Sequence, residues 1–404
     1  MKNIHRNCLS SMDDRFALID YLDSVEFANL FLINIDNFSN FNNAYGFEYG
    51  DKILVEITKL IIKSKPATAK LFRISSDEFA VVSLEDMNQS RLADIASSMV
   101  SFFDQMEIEV DEDIYTRASI SIGISTGKGS QILNQAKIAI KELREYSRGS
   151  YKIYDPNSVY IKKQEENVYW IHKIKEAIEK ERLLPYFQPI INNKTKKIEK
   201  YECLVRIFDE GIVVPPIRFI EASKLTGTLS LVTRTIIEQS FKKFGDTEYE
   251  FSINITKIDL HLNYLEEFLL KHAIKNAINP SRVVLEILED IDSLSSPEVI
   301  AQLNSLRSFG FKIAIDDFGS QSSNLSRLLE FLPDYLKIDG SFIKNILTDN
   351  KSLIIVEAIV LLCKKSNIKI IAEFVHSAEV QAKVEELGIE YSQGFYFSEP
   401  KEDL

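Results

Sequence analysis

The chain has 404 residues, of which 45% are hydrophobic and 27% charged. That balance belongs to a folded protein with room for two ordinary domains and rules out a disordered or low-complexity chain. The formal net charge of −12, with no Lys/Arg block, argues against a polymeric nucleic acid as partner; a small anion would need metal ions or local basic residues to receive it.

Cys8, Cys203 and Cys363 lie far apart and match no zinc spacing, so they read as reduced thiols. Met1–Asp14 is too polar for a secretory signal, and no run reaches the roughly 18 apolar residues of a membrane helix. The chain as it stands therefore reads as cytoplasmic, with no anchor and no sensory domain ahead of the first strand.

In chain order, Phe27–Asp36 is an apolar, β-rich run ending in a carboxylate, and Tyr49–Lys63 shows helical spacing. Lys70–Leu84 reads as two strands around the polar turn Ser75-Ser76-Asp77-Glu78. A helix over Ser90–Phe103, a strand over Tyr115–Ser125 and a helix over Ile132–Tyr146 complete an α/β domain ending near Asp155. Ile161–Arg182 places Val168, Ile171, Ile174 and Ile178 on one stripe, which suits a linker helix; Trp170 and His172 on it read as packing residues. The expected division is 1–155, a linker over 156–182, and 183–404.

From Leu183 onward, strand candidates recur with helical stretches between them. They are Tyr186–Ile191, Glu199–Ile207, Tyr249–Ile255, Arg282–Ile287, Lys312–Asp316, Tyr335–Ile338, Lys369–Ala372 and Tyr391–Tyr396. Eight such units predict a β/α barrel with an irregular start. An open parallel sheet is the alternative, but the phosphate-binding glycine turn it needs is missing.

A barrel's functional groups sit at the C-terminal ends of its strands. Those positions hold Glu202, Asn254, Glu286, Asp316, Asp317, Lys337, Glu373 and Gln393. One buried carboxylate suits a salt bridge; five with a single lysine call for cations. Oxygen donors without His or Cys suit Mg²⁺ or Mn²⁺ better than Zn²⁺. Adjacent Asp316 and Asp317 can serve two ions, as an in-line phosphodiester displacement requires. Lys337 has two readings, a group that orients or deprotonates water and a counter-ion to the acids. Arg206 lies four residues beyond Glu202, on the same strand face, and can clamp a phosphate.

Glu202-Cys203-Leu204-Val205-Arg206 resembles the Glu-Ala-Leu-x-Arg signature of EAL-domain cyclic di-GMP phosphodiesterases. The likeness covers roughly Leu183–Pro400 and continues through Gln188-Pro189, Asn254-Ile255-Thr256, Glu286-Ile287-Leu288-Glu289, Asp316-Asp317-Phe318-Gly319, Lys337-Ile338-Asp339, Ala372-Glu373 and Gln393-Gly394. The resemblance implies a modified TIM (β/α)8 barrel. In it Glu202, Asn254, Glu286 and Asp316 would hold one metal, and Asp316, Asp317 and Glu373 a second. Lys337, Glu373 and Gln393 would act on water. Gln188, Arg206 and Asp339 would bind substrate, and Glu289 would anchor the metal-binding loop. The implied reaction is hydrolysis of cyclic di-GMP to the linear dinucleotide, in a homodimer. The sequence departs from the family at Gln321, where glycine is usual, and at Phe374 and His376, where Gly-Val-Glu usually follows the glutamate. These departures bear on the rate.

Asp36-Asn37-Phe38, Asn42-Asn43-Ala44-Tyr45-Gly46 and Gly50-Asp51 resemble the opening motifs of GGDEF (diguanylate cyclase) domains, with Arg73 and Ser75-Ser76-Asp77-Glu78-Phe79 at the signature. This likeness covers roughly Asn7–Asp155 and implies a palm-type α/β fold. Asp36 and Asp77, with Glu78, match its metal-binding acids, and Asn42 and Asp51 its guanine-reading pair. Both signature glycines are serines, Ser39 replaces an expected lysine, and Pro66 and Ala69 stand where an inhibitory site has Arg and Asp; Arg144 and Arg148 keep positive charge near the last helix. A degenerate domain that binds GTP without cyclase activity is the expectation. A cyclic di-GMP receptor without turnover is the competing reading for the whole chain, and a bifunctional enzyme is disfavoured.

Overall fold

The computed structural model describes residues 12–111, 114–262, 264–288, 296–319 and 332–404. It contains two compact units, Met1–Lys163 and Gln164–Leu404. The division falls inside one helix, Val159–Glu179, the helix expected over the linker.

In the first unit, Ala28–Ile35 is buried at every position because helices cover both faces of its sheet. Alternate residues enter opposite cores, as the two-residue period of a strand demands. Phe31, Ile33 and Ile35 pack with Ile53, Ile57 and Met99, whereas Leu30 and Leu32 pack with Leu18, Leu22, Ile132 and Ala136. The sheet runs Lys70–Arg73, Glu78–Ser83, Ala28–Ile35, Ile120–Gly127, Tyr151–Ile153, antiparallel except for the last pair. The single strand expected over Tyr115–Ser125 is two. Ile114–Thr116 pairs with Ile108–Asp111 in a separate ribbon, and Ile120–Gly127 enters the main sheet.

In the second unit eight strands close into a ring. Its order is Ile198–Asp209, Glu250–Ile255, Val283–Leu288, Lys312–Phe318, Tyr335–Ile338, Lys369–Ala372, Tyr391–Ser392 and Leu183–Asn192, which returns to Ile198–Asp209. All neighbours are parallel except Leu183–Asn192, which is antiparallel to both of its partners. The irregular start expected of the barrel takes this form, with no helix after the first strand. There the Asn192 Oδ1 accepts the Lys194 and Thr195 N–H groups at 2.8 and 3.0 Å. This Asx turn reverses the chain at once and makes a hairpin instead of a crossover. The last strand is likewise shorter than expected, at Tyr391–Ser392.

Ile190, Val284, Ala314, Tyr335, Ile371 and Tyr391 form a cluster contributed by six of these strands, and a larger apolar core joins the strands to the helices. Cys203 and Cys363 are free and buried, and burial raises both thiols, which leaves them unreactive. No helix among the described residues is long and apolar enough to cross a membrane.

Candidate functional site

The strand ends converge on Lys337, whose side chain is 1% exposed. Its ammonium lies 2.8 Å from Glu286, 2.9 Å from Glu373, 3.0 Å from Asp316 and 3.3 Å from Glu202. Each acid comes from or directly follows a different strand, so only the closed barrel brings them together. Glu202 is further held by Asn254 Nδ2 at 3.0 Å and by Gln393 Nε2 at 2.6 Å. Gln393 Nε2 also donates to Gln188 Oε1 at 3.0 Å, and Gln188 Nε2 to the Ser398 carbonyl at 3.1 Å.

Asp316 and Asp317 are neighbours on one strand and would point to opposite faces in regular alternation. The register with Tyr335–Ile338 shifts between Ile315 and Phe318, and Asp317 takes φ 54°. This bulge re-aims one carboxylate, so both reach the same mouth. Two groups of acids result, Glu202–Glu286–Asp316 and Asp316–Asp317–Glu373. In each group, one oxygen per residue lies within 4.8 Å of the others.

Electrostatics follow from crowding. Burial, then repulsion by Glu202, raises Glu286 well above the usual carboxylate range, and burial raises Asp316 as well. Burial pushes Glu373 up to about 8; burial and then Asp316 push Asp317 up to about 6. Burial acts upward on Glu202 too, but Lys337 and the Gln393 and Asn254 amides outweigh it and hold the carboxyl low. Burial alone would depress Lys337, yet the surrounding acids raise it well above its ordinary value. Of the two roles open in the sequence, the counter-ion is the one these four ion pairs display.

One cation cannot balance five acids. Glu286 Oε1 is buried and accepts no hydrogen bond, which is costly unless a cation satisfies it. The donors are all oxygen, five carboxylates and the Asn254 amide, and that set fits hard divalent ions.

Other expected residues lie beside this cluster rather than in it. Arg206 is half-buried, donates to the Val205 carbonyl at 2.8 Å and faces Tyr186. Asp339 caps the helix Gly340–Lys344, accepting the Ser341 N–H at 2.7 Å. Glu289 and the Ser320–Asn324 stretch with Gln321 lie outside the described residues. The sequence reading missed the bulge at Asp317 and the way Gln188 locks Gln393. The first had a signal, because two adjacent acids of a strand cannot share a face unless the alternation breaks.

In the first unit the expected metal acids are occupied by protein donors. Asp36 is 5% exposed and accepts Ser121 Oγ at 2.8 Å, Ser119 Oγ at 3.0 Å and the Gly149 N–H at 3.0 Å. Asp77 accepts Ser75 Oγ and Ser76 Oγ at 3.2 and 3.3 Å and Asn34 Nδ2 at 3.4 Å, and Glu78 pairs with Lys137 at 3.7 Å. The two serines that replace the signature glycines thus bond to the acid beside them. Asn42 lies against Gly50, where an added Cβ would fall 1.9 Å from its Oδ1, and Asp51 is exposed. Arg144 donates to Asn34 and Arg148 to Asn37. Asp36→Ala is expected to destabilise the chain by about 1–3 kcal/mol by orphaning its three donors. Urea unfolding checks this, and an unchanged midpoint would count against a structural role for Asp36.

The EAL domain family model matches residues 171–400, more than half of the chain. The chain belongs to the EAL-domain family. Ahead of the EAL domain, residues 19–150 match the family described as "Diguanylate cyclase, GGDEF domain", so the two domains stand in tandem. The chain is 27% identical over 383 residues to the cyclic di-GMP phosphodiesterase PdeB of Shewanella oneidensis, covering 91% of this chain and 44% of that protein. An EAL-domain protein of Listeria monocytogenes is 30% identical, with a TM-score of 0.51 over 57% of this chain and 93% of that one. The FimX EAL domain of Pseudomonas aeruginosa, in a structure bound to c-di-GMP, is 27% identical, with a TM-score of 0.54 over 58% of this chain and 96% of that one. The chain spans about half the length of the curated relatives it matches.

Proposed function

We propose that the EAL domain hydrolyses cyclic di-GMP to linear pGpG with two divalent cations, Mg²⁺ or Mn²⁺. The observation that carries this reading is the pair of acid groups sharing Asp316. Glu202, Asn254, Glu286 and Asp316 would hold one ion, and Asp316, Asp317 and Glu373 the other. When bound, the ions would supply Lewis-acid stabilisation of charge on the attacking and leaving oxygens. Lys337 keeps the carboxylates gathered and contributes positive charge at the reacting phosphate. Gln393, donating to both Gln188 and Glu202, would hold Glu202 in place and keep its own carbonyl oxygen for a water, with Arg206 on the second strand available to a phosphate oxygen. Gln188 and Asp339, the latter also capping the helix Gly340–Lys344, would complete the substrate contacts.

Incubation of cyclic di-GMP with the full chain and Mn²⁺, followed by separation of products, tests the reading. The wild type is expected to release pGpG, and Glu202→Ala to lower the rate by roughly 10²-fold or more, since it removes a ligand and the Asn254 and Gln393 anchor. The second reading, a receptor without turnover, draws on Lys337, which already compensates part of the acidic charge without added cations. Equal inertness of wild type and Glu202→Ala, with binding retained, would replace the enzyme with the receptor.

We also propose that the first domain is a degenerate GGDEF domain that modulates the EAL domain by binding GTP without cyclising it. Titration of GTP with and without Mg²⁺ tests this, and absence of binding at millimolar nucleotide would end it. A homodimer formed through the EAL domain completes the proposal, to be checked by sedimentation.

A further inference from the structure

Phe374 is the residue at the barrel mouth whose presence the fold explains least. It directly follows Glu373, yet it is 66% exposed. Its backbone lies at φ 53°, the left-handed region in which a Cβ is strained. Glycine or asparagine would make this turn with less strain and without exposing an apolar ring.

The ring nonetheless has a fixed seat. A Cβ built on Gly340 would fall 2.1 Å from the ring's Cδ2 and 2.6 Å from its Cγ, so one edge rests on the Gly340 backbone. The segment behind it is pinned. The Val375 N–H donates to the Gln393 carbonyl at 3.0 Å, and the Tyr396 N–H to the Val375 carbonyl at 3.0 Å. His376 Nδ1 sits 3.2 Å from the Phe374 carbonyl. Gln393 in turn holds Glu202 at 2.6 Å. The exposed ring is therefore one residue, about 3.8 Å of chain, from a carboxylate of the site, on a support tied to another.

We propose that the Phe374 ring stacks on a guanine base of cyclic di-GMP and thereby sets the phosphodiester over the carboxylates. The inference rests on the reading of the EAL domain as a cyclic di-GMP site. A planar aromatic surface held in water beside an oxygen-lined metal centre matches a ligand that carries phosphate and base together. Stacking of one base on an aromatic side chain contributes about 1–3 kcal/mol, enough to offset the strain at this exposed position.

The test compares wild type with Phe374→Ala, Phe374→Gly and Phe374→Trp in the full chain. It measures KM and kcat for cyclic di-GMP with Mn²⁺, the dissociation constant by calorimetry with Ca²⁺, and the thermal midpoint. KM or the dissociation constant is expected to rise roughly 5- to 140-fold in the Ala and Gly variants and to hold in the Trp variant. The effect on kcat should be smaller. Phe374→Gly should also keep or raise the midpoint, because it relieves the left-handed strain. A purely structural ring would lower the midpoint of Phe374→Ala and leave KM and the dissociation constant unmoved, which overturns the proposal. A wild type that neither binds nor hydrolyses cyclic di-GMP defeats the underlying reading and this inference with it; wild-type binding or turnover insensitive to the Ala and Gly changes defeats this inference alone.

Discussion

Lys337→Met is expected to lower the thermal midpoint of the EDTA-treated protein by roughly 6–20 °C, and Mn²⁺ to restore part of the loss. Methionine keeps the stem's packing and removes the charge. The four carboxylates within 3.3 Å of the ammonium then face one another without a counter-ion. Breaking a buried pair from one side costs about 3–5 kcal/mol, and a domain of this size moves by about 2–4 °C per kcal/mol. All four acids respond, since Lys337 is the largest influence opposing the burial of each. Scanning fluorimetry in EDTA and in Mn²⁺ measures both effects. An unchanged midpoint in EDTA would show that Lys337 does not hold the cluster together.

Raising the pH from about 6 to about 8 is expected to widen the difference in midpoint between Mn²⁺- and EDTA-treated protein. Glu373 at about 8 and Asp317 at about 6 both stand above the ordinary carboxylate range. From about pH 4 upward to those values, the native state binds more protons at these groups than the unfolded chain does. Without metal, their contribution to stability is therefore present at low pH and is lost as pH rises through the folded values. Glu202 runs the other way: its lowered carboxyl contributes above the ordinary glutamate value and loses that contribution on acidification, outside the tested window. Divalent ions bind the ionised acids and release the protons, so Mn²⁺ gains as EDTA-treated protein weakens. A cation at about 100 times its Kd contributes about 2.7 kcal/mol, or roughly 5–10 °C here. A difference that stays constant from pH 6 to 8 would mean that the acids are ionised throughout.

The barrel was legible because its strands are short, apolar and separated by helical spacing, so local pattern and global fold agree. Six of the eight strands lie within two residues of their expected limits; Leu183–Asn192 and the shortened Tyr391–Ser392 depart further. The first connection was not legible as a hairpin, because Asn192 bonding to its own following backbone competes with a helix in a way hydrophobic period does not register. In the GGDEF domain the acids of the motif were legible, but their hydrogen bonding was not. The partners of Asp36, Ser119 and Ser121, lie more than 80 residues away in sequence.

By itself, the sequence determined the two-domain order, the closed barrel and the identity of the oxygen donors at its strand ends, because strand period and residue type are local properties. Only the tertiary structure decided what those donors do to one another. Lys337 meets four acids, the bulge at Asp317 turns a second carboxylate to the mouth, and Glu286 Oε1 is left without a donor. Each of these is a matter of distance and burial between residues far apart in the chain, and Coulomb and desolvation energies depend on both.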